Sequence, residues 1–261
     1  MRVALGQLDM VWEDKEASWE KFCEMTAEAA SESADIIIFP EMSLTGFSMD
    51  IEKIGEDSEA SPTKEKVQKL AKEHGIAVGY GWAALPEKGQ SKGTNRFTLI
   101  DSNGSQTAEY SKLHPFTYGG ESDVIRGGDN IVTVPFLGRN ISLFICYDLR
   151  FPEIFQAAAR ESDILFVIAN WPGIRKEHWE TLLRARAIET QSYAAGVNCF
   201  GERDNIYYSG DSLAVDSIGN VLGEISGREG ILVCEFDNRA WSLRNKFNTA
   251  ADRRTKFYQS L

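Results

Sequence analysis

Cys146 is the residue best placed in this chain for covalent chemistry. It follows the apolar run Ile141-Ser-Leu-Phe-Ile145 and opens Cys146-Tyr-Asp-Leu-Arg-Phe-Pro-Glu153. Such a run reads as a buried strand, and a proline suits the first position of a helix, where its missing N–H is not needed. The thiol therefore falls on a strand-to-helix turn, clear of its own backbone and beside N–H groups free to bind an anion. Three further residues have the types needed to complete a site. Glu41 follows Asp35-Ile-Ile-Ile-Phe-Pro40, at the end of an apolar strand, where ligands bind in open α/β sheets. Lys112 lies in Tyr110-Ser-Lys112-Leu-His114, and Glu121 in the glycine-rich Tyr118-Gly-Gly-Glu121-Ser122.

Each also has a plainer reading: Glu41 as a cap or exposed acid, Lys112 as a solvated amine, Glu121 as surface. As a set they make chemical sense. A thiol is mostly protonated at neutral pH, and a carboxylate within reach can take its proton and later pass it to departing ammonia. An ammonium favours thiolate and can face the oxygen that becomes negative during attack, together with the N–H of Tyr147. It also keeps Glu41 from being an isolated buried charge. A sulfur so activated is expected to have a low pKa and to be sensitive to oxidation, with no neighbouring cysteine to resolve it.

The elements around these residues form a mixed α/β pattern. Strand-like runs cover 3–8, 35–39, 76–81, 97–100, 141–145, 164–169, 194–200, 212–215 and 231–236. Helical patterns cover 18–30, 64–74, 152–160 and 177–191, and Gly75 is a stop signal. Both halves start strand, helix, strand, helix, while Phe97 to Tyr110 reads as a hairpin around Asp101-Ser-Asn-Gly104. Crossover helices together with hairpins indicate a layered α/β domain with mixed sheets. No linker divides residues 1–261, so one domain is expected, with 239–261 as an arm on a neighbour or a surface tail.

Among 261 residues, 43% are apolar and 26% charged, which is ordinary globular composition. A net charge of −11 argues against nucleic acid or an anionic membrane as the partner. The four cysteines form no C-x-x-C pair, and Cys23, Cys199 and Cys234 read as buried hydrophobes. Met1-Arg-Val-Ala-Leu-Gly reads directly as strand with no signal-peptide pattern, so a cytoplasmic setting is expected. His74, His114 and His178 lack metal-ligand spacing. Gly79-Tyr-Gly81-Trp-Ala-Ala84 matches a dinucleotide fingerprint in letters only, because Leu85-Pro86 follow where a helix must begin. Neither a metal nor a cofactor is expected. Arg184, Arg186 and Glu189 are expected to form ion pairs on their helix.

Phe39-Pro-Glu41, Tyr110-Ser-Lys112-Leu-His and Cys146-Tyr-Asp-Leu-Arg-Phe-Pro-Glu153 resemble, in order and separation, the three signatures of the nitrilase superfamily, the carbon–nitrogen hydrolases. Glu121-Ser with Gly128-Asp129 is similar to the segment carrying that family's second glutamate. Asn170-Trp-Pro and the stretch from His178-Trp179 to Glu189 extend the likeness, which runs from Val3 to about Tyr258. The resemblance implies a four-layer α-β-β-α sandwich, usually paired into a homodimer. It also implies Cys146 as nucleophile, Glu41 as base, Lys112 as stabiliser of the tetrahedral intermediate and Glu121 as second carboxylate.

Locally the motifs look most like the ω-amidase branch, whose members act on ω-amides of dicarboxylates such as α-ketoglutaramate. The expected activity is cofactor-independent hydrolysis of a small linear amide through a cysteine thioester. N-carbamoyl amine or nitrile hydrolysis is the alternative, and a non-catalytic binding protein the alternative of another class. A carboxylate-bearing substrate needs a local cation, for which Arg175 and Lys176 are candidates, or else solvated charges. Trp171, after a strand end, is a candidate pocket wall or simply core.

Overall fold

Val3, Leu5, Ile36 and Ile38 bury their side chains in one apolar cluster, while Ala4 and Ile37 bury theirs in another. Strands buried on both faces need a covering layer on each side. The computed structural model describes residues 1–237 and 239–260 and supplies both layers. In chain order the strands are β1 (Arg2–Gln7), β2 (Ile36–Ile38), β3 (Ala77–Ala84), β4 (Thr94–Ile100), β5 (Gln106–Ser111), β6 (Val132–Phe136) and β7 (Arg139–Ile145). They continue as β8 (Ile164–Ala169), β9 (Tyr193–Asn198), β10 (Phe200–Arg203), β11 (Ile206–Val215), β12 (Val221–Ser226) and β13 (Gly230–Glu235). The helices are α1 (Lys15–Ser31), α2 (Ile51–Ile54), α3 (Pro62–His74), α4 (Glu121–Val124), α5 (Pro152–Ala158), α6 (Lys176–Thr190), α7 (Arg239–Arg244) and α8 (Thr255–Tyr258).

One sheet has the order β13-β1-β2-β3-β4-β5, the other β10-β11-β9-β8-β7-β6 with β12 paired to β11. The centre of each is parallel, β1–β2–β3 in the first and β7–β8–β9 in the second. Phe22 and Met25 of α1 and Val67 and Leu70 of α3 cover the outer face of the first sheet. Phe155 of α5 and Trp179 and Leu183 of α6 cover the second. This is the α-β-β-α sandwich that the family resemblance implies, built from the layered α/β pattern read in the residues.

The differences have physical reasons. β6, β10 and β12 and the single-turn helices α2 and α4 have no counterpart in the sequence reading. β6 and β12 are half exposed, and β6 holds Pro135, so neither shows an apolar run. β3 runs three residues past Gly81, through Trp82 to Ala84, and carries both glycines of the discarded dinucleotide pattern. Phe247 and Thr249 pack on this chain's own helical layer: Thr249 Oγ1 donates to Glu189 O at 3.0 Å, and Gln191 Nε2 to Phe247 O at 3.1 Å. Leu261 of the expected arm lies outside the described residues.

The topology delivers the chemistry to one end of the sandwich. Glu41 follows β2, Cys146 follows β7 and Asn170 follows β8, all at carboxyl ends of parallel strands. Antiparallel pairing of β4 with β5 brings the start of one and the end of the other to the same edge, with Arg96 opposite Ser111. After Pro40 the chain folds back across β3, where Ser43 N–H donates to Gly81 O at 2.9 Å. A Cβ at Gly81 would stand 2.5 Å from Met42 N and 2.7 Å from Glu41 Cα, so only glycine lets the Glu41 backbone lie this close. Gly81→Ala is expected to lower stability by about 1–3 kcal/mol and to reduce activity by displacing Glu41. Thermal unfolding and turnover measured on the same preparation check both effects.

Candidate active site

Glu41, Lys112 and Glu121 are each fully buried, a state that charged side chains reach only when paired. Lys112 Nζ donates to Glu41 Oε1 at 2.8 Å and to Glu121 Oε2 at 2.7 Å. Asn170 N–H donates to Glu41 Oε2 at 2.9 Å, and Phe116 N–H to Glu121 Oε2 at 2.6 Å. Asn95 Nδ2 bridges the two acids, at 2.7 Å from Glu41 Oε1 and 2.8 Å from Glu121 Oε1. Burial alone would depress the Lys112 ammonium, but the carboxylates of Glu121 and Glu41 outweigh it and hold it above the ordinary lysine value. Two of its three N–H donors go to carboxylates, and Nζ sits 5.3 Å from the centre of the Phe47 ring, which lines the cavity described below.

Cys146 adopts a left-handed backbone with φ of 47°, rare for a residue with a Cβ. Such a conformation lasts only where its surroundings fix it. Buried Asp148 accepts from Ile145 N–H at 3.1 Å, Tyr110 Oη at 2.7 Å and His114 N–H at 3.0 Å, tying the turn to the end of β5. From the other side Arg186 donates to Leu149 O through Nε at 3.1 Å and Nη2 at 2.7 Å. Arg186 also pairs with Glu189 at 3.0 Å as expected, whereas Arg184 donates to Gly219 O at 3.2 Å and forms no ion pair among the described residues.

The sulfur overturns one expectation. Burial pushes the Cys146 thiol well above its ordinary value, the Glu41 carboxylate adds to the rise, and Lys112 pulls it down without offsetting them. Burial is the larger cause, and the ammonium is already matched by two acids, so the shift is upward. The expected low pKa and ready oxidation do not follow.

Cys146 opens onto a cavity of about 380 Å³ whose walls include Tyr147, Arg150, Asn170, Trp171 and Arg175. The three substrate-side candidates from the sequence, Tyr147, Trp171 and Arg175, thus share its lining. Trp171 is both wall and core: it is buried, and its Nε1 donates to Arg175 O at 2.8 Å. Arg150, Asn170 and Asn95 received no role from the sequence. Arg150 places its guanidinium 4.8 Å from the Trp171 ring centre, and its signal was a cation four residues after Cys146. Asn95 could be found as an amide in a strand interior, where asparagine is disfavoured. Lys176 does not belong to the site: it pairs with Asp211 at 2.6 Å and Glu180 at 3.2 Å, and so fills the acidic cluster those residues form with Glu224.

The sequence profile of the carbon–nitrogen hydrolases matches residues 2–245. The chain belongs to the carbon–nitrogen hydrolase family. It is 34% identical over 220 residues to a 2-oxoglutaramate amidase of Bacillus subtilis (strain 168), covering 83% of each chain. Over 228 residues it is 34% identical to an omega-amidase of Yersinia enterocolitica, covering 86% of this chain and 84% of that one. A CN-hydrolase superfamily protein of Xanthomonas campestris with an arsenic adduct in its active site matches at 28% identity and a TM-score of 0.89, over 97% of each chain. A cysteine-to-alanine variant of the amidase from Nesterenkonia AN1, of the nitrilase superfamily, matches at 25% identity and a TM-score of 0.89, over 100% of this chain and 96% of that one. The protein is therefore an enzyme that hydrolyses carbon–nitrogen bonds.

A raised thiol has a direct consequence for this carbon–nitrogen hydrolase. Alkylation of Cys146 by iodoacetamide should be slow at neutral pH and climb steadily through the alkaline range, because the reactive form is the thiolate. Mass spectrometry of the labelled peptide across pH checks this. A rate already at its plateau by about pH 6 would require a low-pKa thiol and contradict it.

Proposed function

We propose that this protein is an ω-amidase: it hydrolyses a small linear amide with a distal carboxylate, such as 2-oxoglutaramate, to the acid and ammonia through a thioester on Cys146. The observation that carries the reading is one cavity with Cys146 beside a buried Glu-Lys-Glu cluster and two arginines in its wall. The names of the amidase relatives support the same substrate class.

In this reading Glu41 takes the thiol proton as sulfur attacks the amide carbon, so charge never rests on sulfur alone. The third N–H of Lys112 and the backbone N–H of Tyr147 receive the developing oxyanion. Collapse breaks the C–N bond, and Glu41 returns its proton to the leaving ammonia. Water, deprotonated by Glu41, then opens the thioester, releases the acid and restores the thiol. Glu121, which accepts from both Lys112 and Phe116 N–H, orients the lysine. Arg175 and Arg150 hold the distal carboxylate; among the described residues neither is ion-paired with an acid, and Arg175 lies 5.7 Å from the Phe116 ring centre.

The proposal takes residues 1–261 as one catalytic domain that works as a homodimer in the cytoplasm. Ile188 on α6 and Phe257 and Tyr258 on α8 leave apolar surface on the helical layer that a second copy would cover. Among the described residues no helix is long and apolar enough to cross a membrane.

Ammonia release is expected from 2-oxoglutaramate in preference to carbamoyl amines or nitriles, and Cys146→Ala is expected to abolish it. Arg175→Ala should raise KM for 2-oxoglutaramate by about 10–100-fold, the effect of losing a charge-assisted hydrogen bond, with little change for an uncharged amide. An unchanged KM for the acid-bearing substrate removes Arg175 from the site. Light scattering of the purified protein tests the dimer.

A further inference from the structure

Asn95, the second residue of β4, is fully buried and touches both acids of the cluster through one amide nitrogen. Its Oδ1 has no hydrogen-bond partner among the described residues. Turning the amide over would set that oxygen against two carboxylate oxygens, so the donors must face the acids. A buried acceptor left unpaired weakens a fold and calls for an explanation. The explanation lies in what the nitrogen does.

We propose that Asn95 is a positioning residue for the reaction: by clamping Oε1 of both carboxylates it leaves Glu41 Oε2 as the oxygen that exchanges a proton with Cys146. The inference rests on the reading of Glu41 as the base. Glu41 Oε1 takes N–H bonds from Lys112 and Asn95, which use both of its lone pairs. Oε2 takes one, from Asn170 N–H, and keeps one lone pair open. Glu121 also takes three N–H bonds, Asn95 on Oε1 and Lys112 and Phe116 N–H on Oε2, so its second oxygen is the one with both lone pairs used. All these partners are donors, which suits two ionised, acceptor-only groups.

The titratable groups facing Glu41 are Lys112 after β5, Glu121 on α4, Cys146 after β7, Cys199 after β9 and Tyr208 on β11. Lysine neutralises one acid of two. Asn95 is the uncharged bridge that lets the second remain beside the first. Without it, Glu41 Oε1 regains a lone pair, and like-charged acids separated by one cation can share a proton. A protonated Glu41 cannot accept from the thiol.

Asn95→Leu is close in size and removes both donors, while Asn95→Ser keeps one. For Asn95→Leu, kcat with 2-oxoglutaramate at neutral pH should fall by about tenfold or more with KM within about twofold. The acid limb of kcat/KM should move up by about one pH unit, and Asn95→Ser should recover part of both effects. If Asn95→Leu fails to fold, Asn95→Ser carries the readout. An unmoved acid limb, a loss confined to KM, or failure of both variants to fold would make Asn95 merely structural and overturn the inference. Glu41→Gln in the same series separates the two ideas. An inactive Glu41→Gln beside normal Asn95 variants defeats only this inference, whereas an active Glu41→Gln defeats the reading of Glu41 as base.

Discussion

An ammonium with no exposed surface, shared by two carboxylates with none, is the constraint on which the rest of this structure turns. Charges leave water only when partners replace hydration, and removing one member of such a group leaves another uncompensated. The sandwich meets this requirement by convergence. One acid comes from the loop after β2, the lysine from the end of β5, the other acid from α4, and neutral donors from β4 and the loop after β8. No single element holds more than one charged member: β2, β5 and α4 bring the three together from the first sheet and its connections, and the second sheet adds the Asn170 N–H. Glycine at position 81 is part of the same requirement, because it lets one of those loops lie flat on a strand.

Charge balance within the cluster also adds to the effect of burial in raising the thiol pKa. With two acids and one base nearby, the field at Cys146 is not the strongly positive one that creates a standing thiolate. The proposed transfer of the thiol proton to Glu41 during attack needs no standing thiolate. This arrangement avoids the oxidative liability of a permanent thiolate, since susceptibility follows thiolate character. The strain of a left-handed cysteine is compatible with it: Asp148 and Arg186 hold the turn rigid from opposite sides, so the thiol need not be charged to be well placed.

The sequence made Glu41, Lys112 and Cys146 visible because each ends a strand or hairpin arm that its own residues announce. Ile36, Ile37 and Ile38 mark β2, and Ile141 to Ile145 mark the end of β7. Glu121 was visible only through resemblance, since a four-residue helix after two glycines looks like surface and its burial depends on Lys112 arriving from elsewhere. Asn95 left one weak trace, a polar amide in a strand whose neighbours Thr94 and Arg96 are polar as well. Lys176 misled for the opposite reason. Its closer partner Asp211 is 35 residues away, and the local sequence shows only Glu180, one turn further along α6. Half-exposed strands such as β6 and β12 lack any apolar run, so they emerge only from pairing.

The same electrostatics bear on how the catalytic cycle ends. An amide enters uncharged at the reacting end, so it meets no penalty beside a cluster of two acids and one ammonium. Hydrolysis converts that end into a carboxylate next to Glu41 and Glu121, where like charge disfavours it. In the proposed reaction the distal carboxylate is unchanged and keeps its attraction to the arginines in the cavity wall. Binding energy for substrate and product therefore differs at one end only, and the difference favours release. A site with a surplus cation at the reacting end would hold its product instead, so pairing one lysine with two acids suits turnover as well as attack.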